Sequence, residues 1–134
     1  MLVDIVSPSG RVFSGEISRF KAPGVEGSFE VLKNHAPMIA AIEIGSIVVT
    51  GADGKPITIA TSGGFVEVQN NTVSVVAETA ELASDIDVER AQAAEQRAVE
   101  ALANADPEVK EVMSKALDRA RNRLRVAMGS VGKR

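Results

Sequence analysis

Few residues of this 134-residue chain have side chains suited to acid–base or nucleophilic chemistry. The chain contains no cysteine and a single histidine, His35, which lies in a polar break between predicted strands. Histidine can act as a general base near neutral pH, but no serine lies close to it in sequence. The following Ala36-Pro37 favours a loop histidine that is hydrogen-bonded to its own turn. We therefore predict no catalytic residue and no metal site, and we keep a hydrolase based on His35 only as a minor alternative.

A second chemical signal is a basic stripe near the end of the chain, where arginine recurs at every other position. On a helix, Arg119 and Arg123 share one face, whereas Arg121 and Arg125 share another. Guanidinium groups bind phosphate or carboxylate through two parallel hydrogen bonds, so the stripe indicates an anion site or an acidic partner. The alternative interpretation is a solvated face that complements the negative end of the helix dipole.

The composition changes near residue 85, and this change predicts the strands and helices that position His35 and the arginine stripe. Before this change, alternating apolar and polar runs with turns every ~8–12 residues predict eight to ten short strands. The predicted breaks include Ser14-Gly15 and a tight hairpin turn at Asp53-Gly54. From residue 85 to 128 the chain contains no glycine, and its spacing predicts helices over about 87–103 and 107–128. We therefore predict an antiparallel β-sandwich or flattened barrel over residues 1–84 and an antiparallel two-helix hairpin over residues 85–134. Parallel strand pairing is not expected, because no helix lies between the strands.

The ends of the helices have their own signals. Asp87 is placed to cap the first helix, Asp106-Pro107 to start the second, and Gly129 to end it. The apolar stripe of the first helix consists mainly of alanine, which buries little area. The hairpin must therefore dock on the β domain, dock on a partner, or alternate between the two.

Composition excludes several classes of protein. Aromatic residues make up 3% of the chain, without tryptophan or tyrosine, and the net charge is −3. This disfavours nucleic-acid binding, which needs stacking platforms and positive charge. No apolar run approaches the ~18 residues of a membrane span, and the N-terminus resembles a strand rather than a signal peptide. A free-standing β-sandwich module that binds a polyanion through its arginine helix remains an alternative function.

Several segments, in this order, resemble the ε subunit of F-type ATP synthases over almost the whole chain. They are residues 23–27, 32–37, 62–68, 71–75 and 77–81, Ile86-Asp87-x-x-Arg90-Ala91, and Arg119-Ala120-x-Asn122-Arg123-Leu124-x-Val126-Ala127. The resemblance implies a non-catalytic rotor subunit that couples the catalytic head to the membrane ring of a proton-translocating complex. It also implies a peripheral location on the cytoplasmic face of the bacterial plasma membrane.

The resemblance further implies the partners: the γ subunit, the c-subunit ring and the α/β catalytic hexamer, with no direct membrane contact. The matching docking residues are Val25, Glu26, Gly27, Ser28, Phe29, Leu32, His35, Pro37 and Met38. Ser28 departs from the acidic residue of some members. In the family, the hairpin can extend along γ and inhibit ATP hydrolysis, with its basic second helix against acidic segments of β. The resemblance thus implies an inhibitory role for Arg119, Arg121, Arg123 and Arg125.

Some bacterial members of this family bind ATP on the folded hairpin, as a regulatory ligand and not as a required cofactor. Ile86, Asp87, Arg90 and Ala91 match the motif of these members. Arg119 and Arg123 match their two phosphate-facing arginines, and Glu81 matches an acidic position just before the helical hairpin. We therefore expect ATP to bind this chain and residues 82–85 to act as a hinge.

Overall fold

The structure, a computed structural model, describes the backbone of residues 1–132 and the side chains through Gly129. It divides into two compact units, one of residues 1–82 and one that begins at Ala83. The first unit consists of strands and the second of helices, so the predicted fold class is confirmed. Within residues 1–132, no helix is long and apolar enough to span a membrane.

The first unit contains nine strands, within the predicted range. They are β1 (Leu2–Ser7), β2 (Gly10–Gly24), β3 (Gly27–Leu32), β4 (Met38–Ile42), β5 (Gly45–Gly51), β6 (Pro56–Thr61), β7 (Gly64–Gln69), β8 (Thr72–Ala77) and β9 (Ala80–Leu82). The order β1-β8-β7-β4-β2-β5-β6-β9 is closed by pairing of β1 with β2, and β3 also pairs with β2. The buried valine and isoleucine side chains of these strands, together with Phe20, form one core.

One strand pair contradicts the expectation of a purely antiparallel sheet. β1 and β8 run parallel, with Leu2 opposite Thr72 and Val6 opposite Val76. Parallel neighbours need a long connection between them. The six strands between β1 and β8 provide that connection without a crossover helix.

The predicted break at Ser14-Gly15 is also wrong, because β2 continues through it for 15 residues. Ser14 and Gly15 lie opposite Asp4 and Val3 of β1. Because both residues are paired with β1, tertiary pairing overrides the local turn preference here. In contrast, the turn at Asp53-Gly54 is confirmed: Gly54 has φ +81° and donates its N–H to the Gly51 carbonyl at 3.0 Å.

The second unit contains a 3₁₀ turn (Ala83–Asp85), helix α1 (Val88–Ala103), a second 3₁₀ turn (Pro107–Val109) and helix α2 (Lys110–Gly132). Asp87 caps α1 as predicted, since its Oδ1 accepts the Arg90 N–H at 3.1 Å. The side chain of Asp106 makes no such bond, and its carbonyl instead accepts the Val109 N–H at 3.0 Å. The predicted end at Gly129 is wrong, because Gly129 keeps a helical backbone and α2 continues to Gly132.

A glycine substitution tests the tight approach of β7 and β8. Gly64 has φ +144°, and an added Cβ would clash with the Val76 carbonyl and lie 2.8 Å from Ala77 Cα. Gly64→Ala should therefore lower the free energy of unfolding by at least about 2 kcal/mol, measured by urea denaturation. Gly15→Ala is the matched control, because a Cβ there has no neighbour within 4 Å. Equal stability of the two variants would contradict this account of the β7–β8 pairing.

Candidate functional site

The residues of the predicted nucleotide motif lie at the start of α1, but they differ in exposure. Ile86 and Ala91 are 7% and 1% exposed, so they serve mainly as packing residues. The Asp87 carboxylate is engaged in capping the helix, and the Arg90 side chain is exposed. In this motif, Arg90 thus has the charged group that is most accessible to an anionic ligand.

The arginine stripe lies on α2, which packs against α1 within the helical unit. The Arg121 Nε lies 3.4 Å from Glu95 Oε2 of α1, and the Arg125 Nη2 donates to Asn122 Oδ1 at 2.8 Å. The Arg119 side chain is exposed, whereas Arg123 is half-buried. The stripe is therefore not a uniformly free charged surface: Arg121 and Arg125 contact other side chains of the hairpin, and Arg123 is partly withdrawn from solvent.

Glu81 belongs to a different unit from the other predicted nucleotide residues. It is a half-exposed residue of β9, opposite Ala60 of β6, and so belongs to the β unit. The other six predicted residues, Ile86, Asp87, Arg90, Ala91, Arg119 and Arg123, belong to the helical unit.

The predicted docking residues form two groups at opposite ends of β3. Val25, Glu26, Gly27, Ser28 and Phe29 lie at the turn that joins β2 to β3, whereas Leu32, His35, Pro37 and Met38 lie at the other end of that strand. The register confirms this separation, since Gly24 pairs with Gly27 and Arg19 with Leu32. At ~3.3 Å per residue, the two ends of β3 lie about 17 Å apart. These residues therefore form two surfaces rather than one.

Members of each group differ in their contacts. Val25 and Leu32 are 57% and 48% exposed, so a partner can reach them. Phe29 instead packs on the core, with its ring centroid 6.5 Å from that of Phe20. The Nδ1 of His35 lies 2.7 Å from the Ala36 carbonyl oxygen, to which it donates, as predicted for a loop histidine.

Sequence reasoning missed an apolar surface on β4, β7 and β8. Ile39, Phe65 and Val76 are 74%, 61% and 61% exposed. Ala41, Phe65 and Val76 lie opposite one another across the three strands, and Ile39 lies opposite Glu67 in the next row. We call these five residues, Ile39, Ala41, Phe65, Glu67 and Val76, the outer face.

The alternation of apolar and other side chains along β7 could have predicted this surface from the sequence. Val66 and Val68 are buried, so Phe65 and Glu67 must point away from the core. A phenylalanine at an outward position exposes a large apolar group to water. Contiguous exposed apolar side chains of this kind mark interaction sites.

Comparison with known proteins identifies the family of both units. Residues 1–83 match the family model of the ATP synthase delta/epsilon chain beta-sandwich domain, and residues 84–128 match its long alpha-helix domain. The ATP synthase epsilon chain of Salinibacter ruber is 52% identical over 100% of this chain and 96% of that protein. The epsilon chain of Desulforamulus reducens is 44% identical over 93% of this chain and 95% of that protein.

Solved structures show the same fold. A chain of the Euglena gracilis mitochondrial ATP synthase, solved by cryo-electron microscopy with OSCP, F1 and c-ring, aligns with a TM-score of 0.79 at 20% identity. The alignment covers 98% of this chain and 80% of that one. A chain of the Tetrahymena thermophila central stalk and c-ring aligns with a TM-score of 0.58 at 14% identity, over 97% and 95% of the two chains.

The capping role of Asp87 can be separated from any role in ligand binding. Asp87→Ala removes the acceptor for the Arg90 N–H and should destabilise the helical unit by about 1 kcal/mol. Asp87→Asn retains an acceptor oxygen and should leave stability within a few tenths of a kcal/mol of the wild type. Amide hydrogen exchange of α1 measures both effects. Equal loss of protection in the two variants would show that the carboxylate charge, and not the cap, stabilises α1.

Proposed function

The chain belongs to the ATP synthase delta/epsilon family, and from this premise we propose that it is a non-catalytic central-stalk subunit of a proton-translocating F-type ATP synthase. The 52% identity with an ATP synthase epsilon chain along the whole chain carries this proposal. In this role the β unit docks on the γ subunit and the c-subunit ring, on the cytoplasmic face of the bacterial plasma membrane. The subunit transmits rotation and leaves catalysis to the α/β hexamer.

The outer face supports docking of the β unit on the γ subunit. Its apolar side chains are exposed, and Glu67 among them forms no ion pair within the described part of the chain. An apolar surface with one unpaired acid fits a partner surface that combines apolar side chains with a lysine or arginine. Anionic lipid and a second copy of this chain fit less well, since both bring negative charge against Glu67.

Substitution of an outer-face residue should block assembly. An aromatic anchor in the centre of an interface contributes about 2 kcal/mol or more, which is about thirtyfold in affinity. Phe65→Glu should therefore lose about thirtyfold in binding, measured by co-purification of the tagged chain with γ and the catalytic hexamer. Val112→Glu is the matched control, because Val112 is equally exposed, at 60%, but lies on the helical unit.

The outcomes of this experiment separate two questions. If the wild-type chain retains neither γ nor the hexamer, the proposed function is wrong. If Phe65→Glu assembles as well as the wild type, the outer face is not the docking surface, and the loops at the two ends of β3 take its place.

We further propose that the hairpin controls ATP hydrolysis. The basic stripe of α2 would bind acidic segments of the β subunits by charge complementarity and hold the catalytic hexamer in an inhibited state. The exposure of Arg119 and of other stripe residues supports this role.

ATP is the proposed regulatory ligand of the hairpin. The packed Ile86 and Ala91 and the capped Asp87 form an ordered helix start, beside which the exposed Arg90 can reach a phosphate. Arg119 and Arg123 would bind the remaining phosphates through their guanidinium groups. Bound nucleotide stabilises the conformation that binds it by RT ln(1 + [L]/Kd), so only ATP above its Kd has an effect.

Calorimetric titration tests ATP binding directly. The wild-type chain should release heat with millimolar ATP, and Arg119→Ala should weaken binding by about tenfold or more, because a charge-assisted bond is lost. Arg97→Ala removes an exposed arginine of α1 outside the motif and should bind as the wild type does. Absence of heat from the wild type at millimolar ATP would refute nucleotide regulation and leave the assembly role intact.

A further inference from the structure

The Glu95–Arg121 ion pair joins the two helices at the basic stripe. Glu95 lies on α1 with a side chain that is 33% exposed, and its Oε2 lies 3.4 Å from Arg121 Nε. We propose that Glu95 is an internal competitor for the acidic partner of α2, and that it lowers the affinity of the hairpin for that partner. This inference rests on the proposed inhibitory function, because it concerns how strongly the same stripe acts.

The chemistry of the guanidinium group explains the competition. A carboxylate of the partner would have to use the same positive charge that Glu95 already neutralises at the Nε edge of Arg121. Partner binding through Arg121 therefore requires the partner to displace Glu95 or to share the arginine with it. A partly exposed ion pair of this kind shifts such an equilibrium by up to about fivefold.

Arg125 lies on the same face of α2, but its surroundings differ. It donates at 2.8 Å to Asn122, whose side chain is buried and neutral. An amide orients a guanidinium group without neutralising its charge. The charge of Arg125 is therefore not neutralised by this contact, whereas a partner that binds Arg121 must displace Glu95 or share the arginine with it.

ATP hydrolysis by the assembled complex tests this proposal. Glu95→Gln keeps the size of the side chain but removes its charge, so the inhibited state should become more populated. We expect ATP hydrolysis to be about two- to fivefold slower than with the wild-type chain, because a partly exposed ion pair shifts the binding equilibrium by no more than about fivefold. Glu100→Gln removes the same charge from an exposed position of α1 and should leave the rate unchanged. Unchanged helical circular dichroism of the isolated variants confirms that the hairpin remains folded.

A double-mutant comparison isolates the pair. In an Arg121→Gln background, Glu95→Gln should have no further effect on hydrolysis, whereas Arg125→Gln should raise the rate by the same factor with or without Glu95. Equal effects of Glu95→Gln and Glu100→Gln would overturn the proposal. A full effect of Glu95→Gln in the Arg121→Gln background would overturn it as well.

One further variant distinguishes failure of this inference from failure of the proposed function. Replacement of all four stripe arginines by glutamine should raise hydrolysis if the stripe inhibits the hexamer. If the fourfold variant has no effect, the inhibitory function itself is wrong. If it raises hydrolysis while Glu95→Gln behaves as the wild type, only the competition by Glu95 is refuted.

Discussion

The pairing of one long strand, β2, with four other strands is the constraint on which the β unit depends. β2 pairs with β1 through its first half and with β3 and β5 through its second half, and it meets β4 at Gly24. Since β1 also pairs with β8, the pairing of β2 with β1 closes the path β1-β8-β7-β4-β2 into a ring of strands. The inward side chains of all these strands then share one core, and their outward side chains form the outer surfaces. The two ends of β3 have their positions because β3 pairs with β2, and Phe65 has its position because β7 lies between β4 and β8.

The helical unit follows a different physical rule. The apolar stripe of α1 consists mainly of alanine, so this helix buries little area against α2. Local contacts, such as the Asp87 cap and the Glu95–Arg121 ion pair, add to this packing. These contacts are individually weak, so partners of comparable strength can compete with them. A regulatory arm needs this property, whereas an anchoring domain needs the opposite one.

The two units thus divide the proposed work of the subunit. The β unit has a closed network of backbone hydrogen bonds and a large apolar core, which suit a part that transmits torque. The helical unit has exposed charge and few buried side chains, which suit a part that responds to ligand and partner. The two ligands proposed for the basic stripe are chemically compatible, because phosphate and carboxylate use the same guanidinium geometry.

The class and order of the elements, the change from strands to helices near residue 85, and the Asp87 cap could all be predicted from the sequence. These depend on the period of apolar residues and on bonds between near neighbours, which a sequence displays directly. Long-range packing set the parallel pairing of β1 with β8, the continuity of β2 through Ser14-Gly15, and the alignment of Phe65 with Val76. It also decided which arginines contact Glu95 and Asn122. The reason is physical: pairing between distant strands and helices depends on how all elements share one core, and no local pattern records it.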